Sequence, residues 1–268
     1  MARSKNHTTS LESKYMNNIK IHGITYGDQA FQSSRDRAYE SLSKFTDKAY
    51  LFTEKDLDNY RSNIDSRILY PGARGGGYWI FKPIFLKQVI DSIPEGEAVM
   101  WMDAGIECIG DTHIFADIAA NNRGFCLFKQ KHENSHYTKR DCFYYMNADT
   151  TEYHTARQSD AAVQVYIKNE ETQKFINEYL HYCSDYRVVT DSPNECNLPN
   201  FPCFADHRHD QSILTNLYTK YKLNTFIQPS QWYHIDWTED IKSRYLNDIE
   251  LNQSERYSAL FNHHRIRS

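Results

Sequence analysis

The run Ala98-Val99-Met100-Trp101-Met102 narrows the folds open to this chain more than any other stretch. Five apolar residues without polar alternation read as a strand buried on both faces, and such strands belong to sheets covered by helices on either side. Asp103 follows directly. In open α/β sheets ligands bind beyond the carboxyl ends of the strands, so this carboxylate stands where chemistry is expected. It also has the plainer reading of a strand-end turn residue.

The segment before the run combines glycines with cations. Arg74-Gly75-Gly76-Gly77-Tyr78 leads through Trp79, Ile80 and Phe81 to Lys82 and Pro83. Proline suits the first position of a helix, because its missing N–H has no partner there. Ile84, Phe85, Leu86, Val89 and Ile90 recur at helical spacing, and Pro94-Glu95-Gly96 ends the element. A glycine-rich turn and a helix start beside two cations predict an anion site. Arg74, Lys82 and Tyr78 would surround a diphosphate, with Asp103 holding a divalent metal against the same oxygens. Each residue has a bland alternative, such as a glycine loop or a solvated lysine. Their order together carries the reading.

The remaining chain alternates strand and helix patterns. Residues 19–25 alternate and are β-branched, and Tyr26-Gly27-Asp28 closes them as a turn. Ser33, with Asp36 three residues on, makes a capping-box pattern before Ala38, Leu42 and Phe45. Residues 49–52 predict a strand, 56–69 a polar connection, 112–120 a helix, 124–128 a strand and 129–155 a loop-like region. Residues 158–168 carry the β-rich run Val163 to Ile167, after which Asn169 caps a helix with Phe175, Ile176 and Tyr179 on its buried stripe. Residues 191–204, rich in Pro, Asn and Cys, predict a long irregular loop. The expected fold class is α/β, a mixed and mostly parallel sheet flanked by helices. It forms one domain over residues 19–268, behind a polar, flexible N-terminus of residues 1–18.

Composition removes several function classes. A net charge of −4 over 268 residues argues against nucleic acid as the main partner. No apolar stretch reaches the length of a signal peptide or a membrane span, so a cytoplasmic protein is expected. Six cysteines without a Cys-x-x-Cys pair predict free thiols. Twenty tyrosines and a mean hydropathy of −0.74 suit carbohydrate, whose faces stack on aromatic rings, although a tyrosine-rich core gives the same count.

A second constellation is Asp206-His207-Arg208-His209-Asp210-Gln211-Ser212. Ile213, Leu214, Leu217 and Tyr221 follow at helical spacing, so the cluster sits at a helix start. Asp210 then has two readings. It is a helix cap, or it is a carboxylate acting as general base toward a sugar hydroxyl or against positive charge at an anomeric carbon. Gln211 shares that position, while His207, His209 and Trp232 are candidate contacts to acceptor or sugar. At the C-terminus Phe261-Asn262-His263-His264-Arg265 reads either as a disordered end or as a strap over a diphosphate. In the second case His263 is a metal ligand, and His264 and Arg265 meet the phosphate oxygens.

Gly77-Tyr78-Trp79-Ile80-Phe81-Lys82-Pro83, Met100-Trp101-Met102-Asp103-Ala104-Gly105 and His207 to Ser212 together resemble a group of short stand-alone proteins related to GT-A glycosyltransferases. The resemblance covers the chain from about Ile19 to its end. It implies a nucleotide-sugar donor, UDP- or GDP-linked, and transfer to a hydroxyl of a glycan, lipid or protein, as in polysaccharide biosynthesis. It also implies manganese or magnesium on an Asp-x-Asp motif, and Asp103, Asp210 and Gln211 as the catalytic residues. One departure matters: Gly105 stands where the second Asp of that motif belongs. A single carboxylate is a poor metal site. Glu107, His263 or His264 completing it, and Arg74, Lys82 and Arg265 neutralising the diphosphate without metal, are both open. Two other readings use the same residues. One is a metal-dependent phosphoester hydrolase on Asp206, His207, His209 and Asp210, and the other a non-catalytic sugar-binding module that kept the fold.

Overall fold

The computed structural model describes residues 18–231 and 259–264. The expected flexible N-terminus therefore lies outside the described residues except for Asn18, as do Trp232 and Arg265. Seven strands are described: β1 (Ile21–Tyr26), β2 (Lys48–Phe52), β3 (Ala98–Met102), β4 (Ile106–Cys108), β5 (Phe125–Glu133), β6 (Arg157–Ile167) and β7 (Phe261–His263). Five form one sheet in the order β2-β1-β3-β6-β5, and β4 pairs with β7 in a second. β2, β1 and β3 are parallel; β6 and β5 continue the sheet antiparallel.

Among the described residues the helices of eight residues or more are α1 (Gln32–Phe45), α2 (Phe81–Ser92), α3 (His113–Ala120), α4 (Glu170–Cys183) and α5 (His209–Lys220). They cover both faces of the sheet. Val99 and Trp101 of β3 pack into a core with α2, α4 and α5. Ala98, Met100 and Met102 pack into another with α1 and α3. The apolar run is buried on both faces because consecutive side chains of a strand point to opposite sides and helices occupy both.

Several boundaries moved. The capping-box pattern at Ser33 does not open α1. The turn starts earlier, where the Asp28 carboxylate accepts from Phe31 N, and Ser34 is buried. Residues 129–155 are not a plain loop, since β5 runs on to Glu133 and short helical turns occupy Asn134–Tyr137, Arg140–Tyr145 and Thr151–His154. Residues 191–204 are irregular as expected, yet firmly held. The buried Asp141 carboxylate accepts from Glu195 N at 2.8 Å and Cys196 N at 2.9 Å. The Lys139 ammonium donates to Ser192 O at 2.8 Å. All six cysteines are free thiols.

The glycine-rich stretch is the least ordinary element. Gly75, Gly76, Gly77, Tyr78 and Trp79 have φ of 56°, 61°, 98°, 53° and 62°, five consecutive left-handed residues. L side chains are disfavoured there, so the three glycines lower the cost of a turn that Tyr78 and Trp79 must complete. The reversal drops the chain into α2 at Phe81, and Pro83 is its third residue rather than its first. A Cβ on Gly77 would lie 2.9 Å from Leu69 Cδ1 and 3.3 Å from Ile68 O, whereas one on Gly96, φ 82°, meets open space. Gly77→Ala is therefore expected to lower stability by about 1–3 kcal/mol and by more than Gly96→Ala. Equal melting temperatures for the two variants would show that the turn is not tightly packed.

Candidate active site

Lys82 projects from the first turn of α2 into the interior and is 3% exposed. Its ammonium lies 3.1 Å from Asp103 Oδ1 and 3.2 Å from Asp210 Oδ2, and donates to Ala161 O at 3.1 Å. Burial pulls against the charged form. The Asp103 and Asp210 carboxylates outweigh it and push the lysine up to about 12. Three elements thus meet on one cation: the end of β3, β6, and the start of α5.

Asp103 is the more open carboxylate, with its side chain 31% exposed. Its Oδ1 also accepts from the Trp101 indole N–H at 2.7 Å, and its own N–H donates to Ala162 O of β6 at 2.9 Å. Asp210 is buried. Burial raises its carboxyl to about 6, with the like charge of Asp103 adding and Lys82 opposing. The Tyr179 hydroxyl donates to Asp210 Oδ2 at 3.2 Å. Next to it, Gln211 Nε2 is buried without a hydrogen-bond partner among the described residues.

Asp160 was not singled out in the sequence, where it lies inside a strand pattern. Antiparallel pairing puts the start of β6 at the carboxyl edge of β3. There Asp160 Oδ1 accepts from Ala162 N at 3.2 Å. Desolvation pushes its carboxyl up; Asp103 adds to this, while His263 and Lys82 oppose it.

Other expected site residues turn inward. His207 is 2% exposed: its Nε2–H donates to Val188 O at 2.9 Å, and its Nδ1 accepts from Lys139 N at 3.2 Å. Neither nitrogen remains for a sugar, and burial, with His209 and Lys139 nearby, holds the ring neutral. His209 donates from Nδ1 to Val189 O at 2.7 Å and stacks on Trp79 at 5.4 Å between ring centroids, with Tyr78 at 5.1 Å. Its φ of 49° is left-handed, like those of the residues it touches. Tyr78 is buried against this ring rather than facing a donor.

The phosphate cradle expected at the glycines is not formed either. The N–H groups of Gly76, Gly77, Tyr78, Trp79 and Ile80 donate to carbonyls of residues 73–77. Arg74 is engaged by Asp191 at 2.9 Å and Asp206 at 3.2 Å. The same contacts undo the hydrolase reading, whose histidines face protein and whose Asp206 is committed to an arginine.

Residues 261–264 return to this edge of the sheet. β7 pairs with β4, setting His263 opposite Ile106, and His264 N donates to Gly105 O at 2.8 Å. The His264 ring lies 2.7 Å from Glu107 Oε2, and the His263 ring meets Gln228 Oε1. A divalent cation is a poorer match. Both Asp103 oxygens are engaged by Lys82, and Gly105 has no ligating group. Among the described residues no three His, Cys, Asp or Glu side chains are gathered to hold a metal ion. The expected Asp103–His263 metal site is therefore not built by these residues.

Removing the lysine tests the cluster. Lys82→Met leaves Asp210 buried and unpaired, which is expected to cost about 3–5 kcal/mol near neutral pH. With Lys82 present Asp210 binds its proton around pH 6; without the ammonium that value rises further, so the deficit should shrink as pH falls toward 6 and level off below it. Denaturant unfolding of both proteins across this range checks it, and a pH-independent deficit would remove Asp210 from the explanation.

No family model and no curated protein matches this sequence. Solved structures share its architecture. Mouse xyloside xylosyltransferase 1, in its apo form, superposes with a TM-score of 0.50 at 9% identity, over 92% of this chain and 98% of that one. The apo bifunctional glycosyltransferase WbbM gives 0.51 at 11% identity, over 94% of this chain but only 46% of WbbM. At such identities the likeness is one of fold: the chain has the mixed, helix-flanked sheet of the GT-A-type glycosyltransferases.

Proposed function

We propose that this chain transfers a sugar from a nucleoside-diphosphate sugar to a hydroxyl of an acceptor glycan, lipid or protein. The observation that carries the reading is the Lys82 ammonium clamped between Asp103 and Asp210 at the carboxyl edge of β3. Asp103, the exposed member, orients the donor. The unpaired Gln211 amide takes a hydroxyl of the transferred sugar. Asp210 is too buried to reach an acceptor proton, so its role is electrostatic. It opposes the positive charge that develops at the anomeric carbon as the sugar–phosphate bond breaks. Lys82 is a positioning residue that keeps two carboxylates close without mutual repulsion. His263 and His264, returned beside Gly105 by β7, border the donor side.

Incubation with a panel of UDP- and GDP-sugars, read as release of the nucleoside diphosphate, tests the activity. Asp103→Ala is expected to abolish release, and binding without release by the unaltered protein would favour a sugar-binding module. If ionised Asp210 is required, kcat/KM should fall on the acid side with a midpoint near pH 6, and Asp210→Asn should lack that limb. A profile unchanged through pH 6 would take its charge out of the reaction.

Among the described residues no divalent-cation site is built, and both Asp103 oxygens are already engaged by Lys82. Transfer is expected to persist after treatment with EDTA. A loss of more than about tenfold (about 1.4 kcal/mol in barrier), reversed by manganese, would contradict this.

A further inference from the structure

Two nitrogens of the Arg37 guanidinium, Nε and Nη2, are buried and have no hydrogen-bond acceptor among the described residues. Arg74, by contrast, is held by two carboxylates. A buried donor without an acceptor forfeits its hydration and gains nothing in return, so such groups call for a partner from outside the chain. Arginine presents paired N–H donors that match phosphoryl oxygens.

The position of Arg37 follows from the helix. Ser34, Arg37 and Ser41 fall on one stripe of α1, and both serines are buried. Ser41 Oγ accepts from Cys108 N at 3.0 Å, and Thr112 Oγ1 donates to Phe45 O at 2.5 Å. Residues 41–45 of α1 therefore run alongside residues 108–112 in the same direction. One turn back along the helix covers about 6 Å, the same as about two residues of strand. On that spacing the Arg37 backbone lies level with Ile106, just past the Asp103-Ala104-Gly105 turn. A Cβ on Gly105 would meet nothing within 4 Å, so the turn has open space beside it.

We propose that Arg37 is the diphosphate anchor of the donor site, its unpaired guanidinium edge taking phosphoryl oxygens beside Gly105. This rests on the glycosyl-transfer reading above. It also supplies the fixed positive charge that the donor needs where the chain lacks a second carboxylate to share a cation. An arginine kept unpaired for a ligand should make the free protein less stable than it would otherwise be.

The test is calorimetric titration with UDP and with GDP in the presence of EDTA, together with melting of the ligand-free proteins. The unaltered protein is expected to bind at least one of the two. Arg37→Met should weaken that binding about 10- to 100-fold, the loss of a charge-assisted contact. It should also melt about 2–4 °C higher without ligand. Arg37→Lys, with charge but no paired donors, should fall between. Binding within twofold of the unaltered protein, or a lower ligand-free melting temperature for Arg37→Met, overturns the assignment. If the unaltered protein still releases nucleoside diphosphate from a sugar donor, the transferase reading survives that result. Failure of the unaltered protein to bind either nucleotide overturns both.

Discussion

A lysine that water does not reach stays charged only if oxygens replace the water, and the site is organised by the way Lys82 meets that demand. Its acceptors come from the end of β3, from β6 and from the first turn of α5. Each contact also fixes the register of its element: β6 must lie antiparallel to β3 so that Ala161 O faces the ammonium, and α5 must begin beside that strand end. The cluster is costly in isolation and tolerable as a set. That mutual dependence draws distant parts of the chain to one edge of the sheet.

Backbone strain supports the same arrangement. Five left-handed residues precede α2 and a sixth, His209, opens α5. The Trp79 and His209 rings stack directly between these two segments, so the strained turns brace each other three residues before Lys82 and one before Asp210. Strain held in place by packing is a means of fixing side chains more rigidly than a relaxed loop could. Charge is arranged unevenly around this frame. Arg74 is neutralised by Asp191 and Asp206, whereas two nitrogens of Arg37 have no acceptor among the described residues. The arginine that looked most like a phosphate ligand is the one already occupied.

Legibility in the sequence tracked locality. The β3 run, Asp103 after it and a helix start within the 206–212 cluster are set by periodicity and by neighbours a few residues away, and all stand where the patterns put them, although the helix opens at His209 with Arg208 in the cap position that Asp210 was a candidate for. The irregular 191–204 loop was readable for the same reason. Asp160 was hidden because a polar residue within a strand carries no sign of what its partner strand will bring near. Arg37 was hidden because an arginine on an amphipathic helix looks like solvent-facing charge. His207 and His209 misled in the opposite sense: a run of ionisable residues suggests a site, yet tertiary packing turned both rings toward backbone carbonyls. The glycine-rich turn suggested a phosphate cradle, but left-handed geometry directed its N–H groups to nearby carbonyls.

The amino-acid sequence by itself determined the α/β alternation, the doubly buried central strand and the carboxylate at its end, because burial pattern and helix-start chemistry act over a few residues. Only the tertiary structure decided which charges are paired. It joined Lys82 to Asp103 and Asp210, gave Arg74 to two other carboxylates and, among the described residues, left Arg37 without one. The physical reason is that pairing depends on distances between residues far apart in the chain, 132 positions for Arg74 and Asp206. Those distances are set by sheet register and helix packing, which no local pattern encodes.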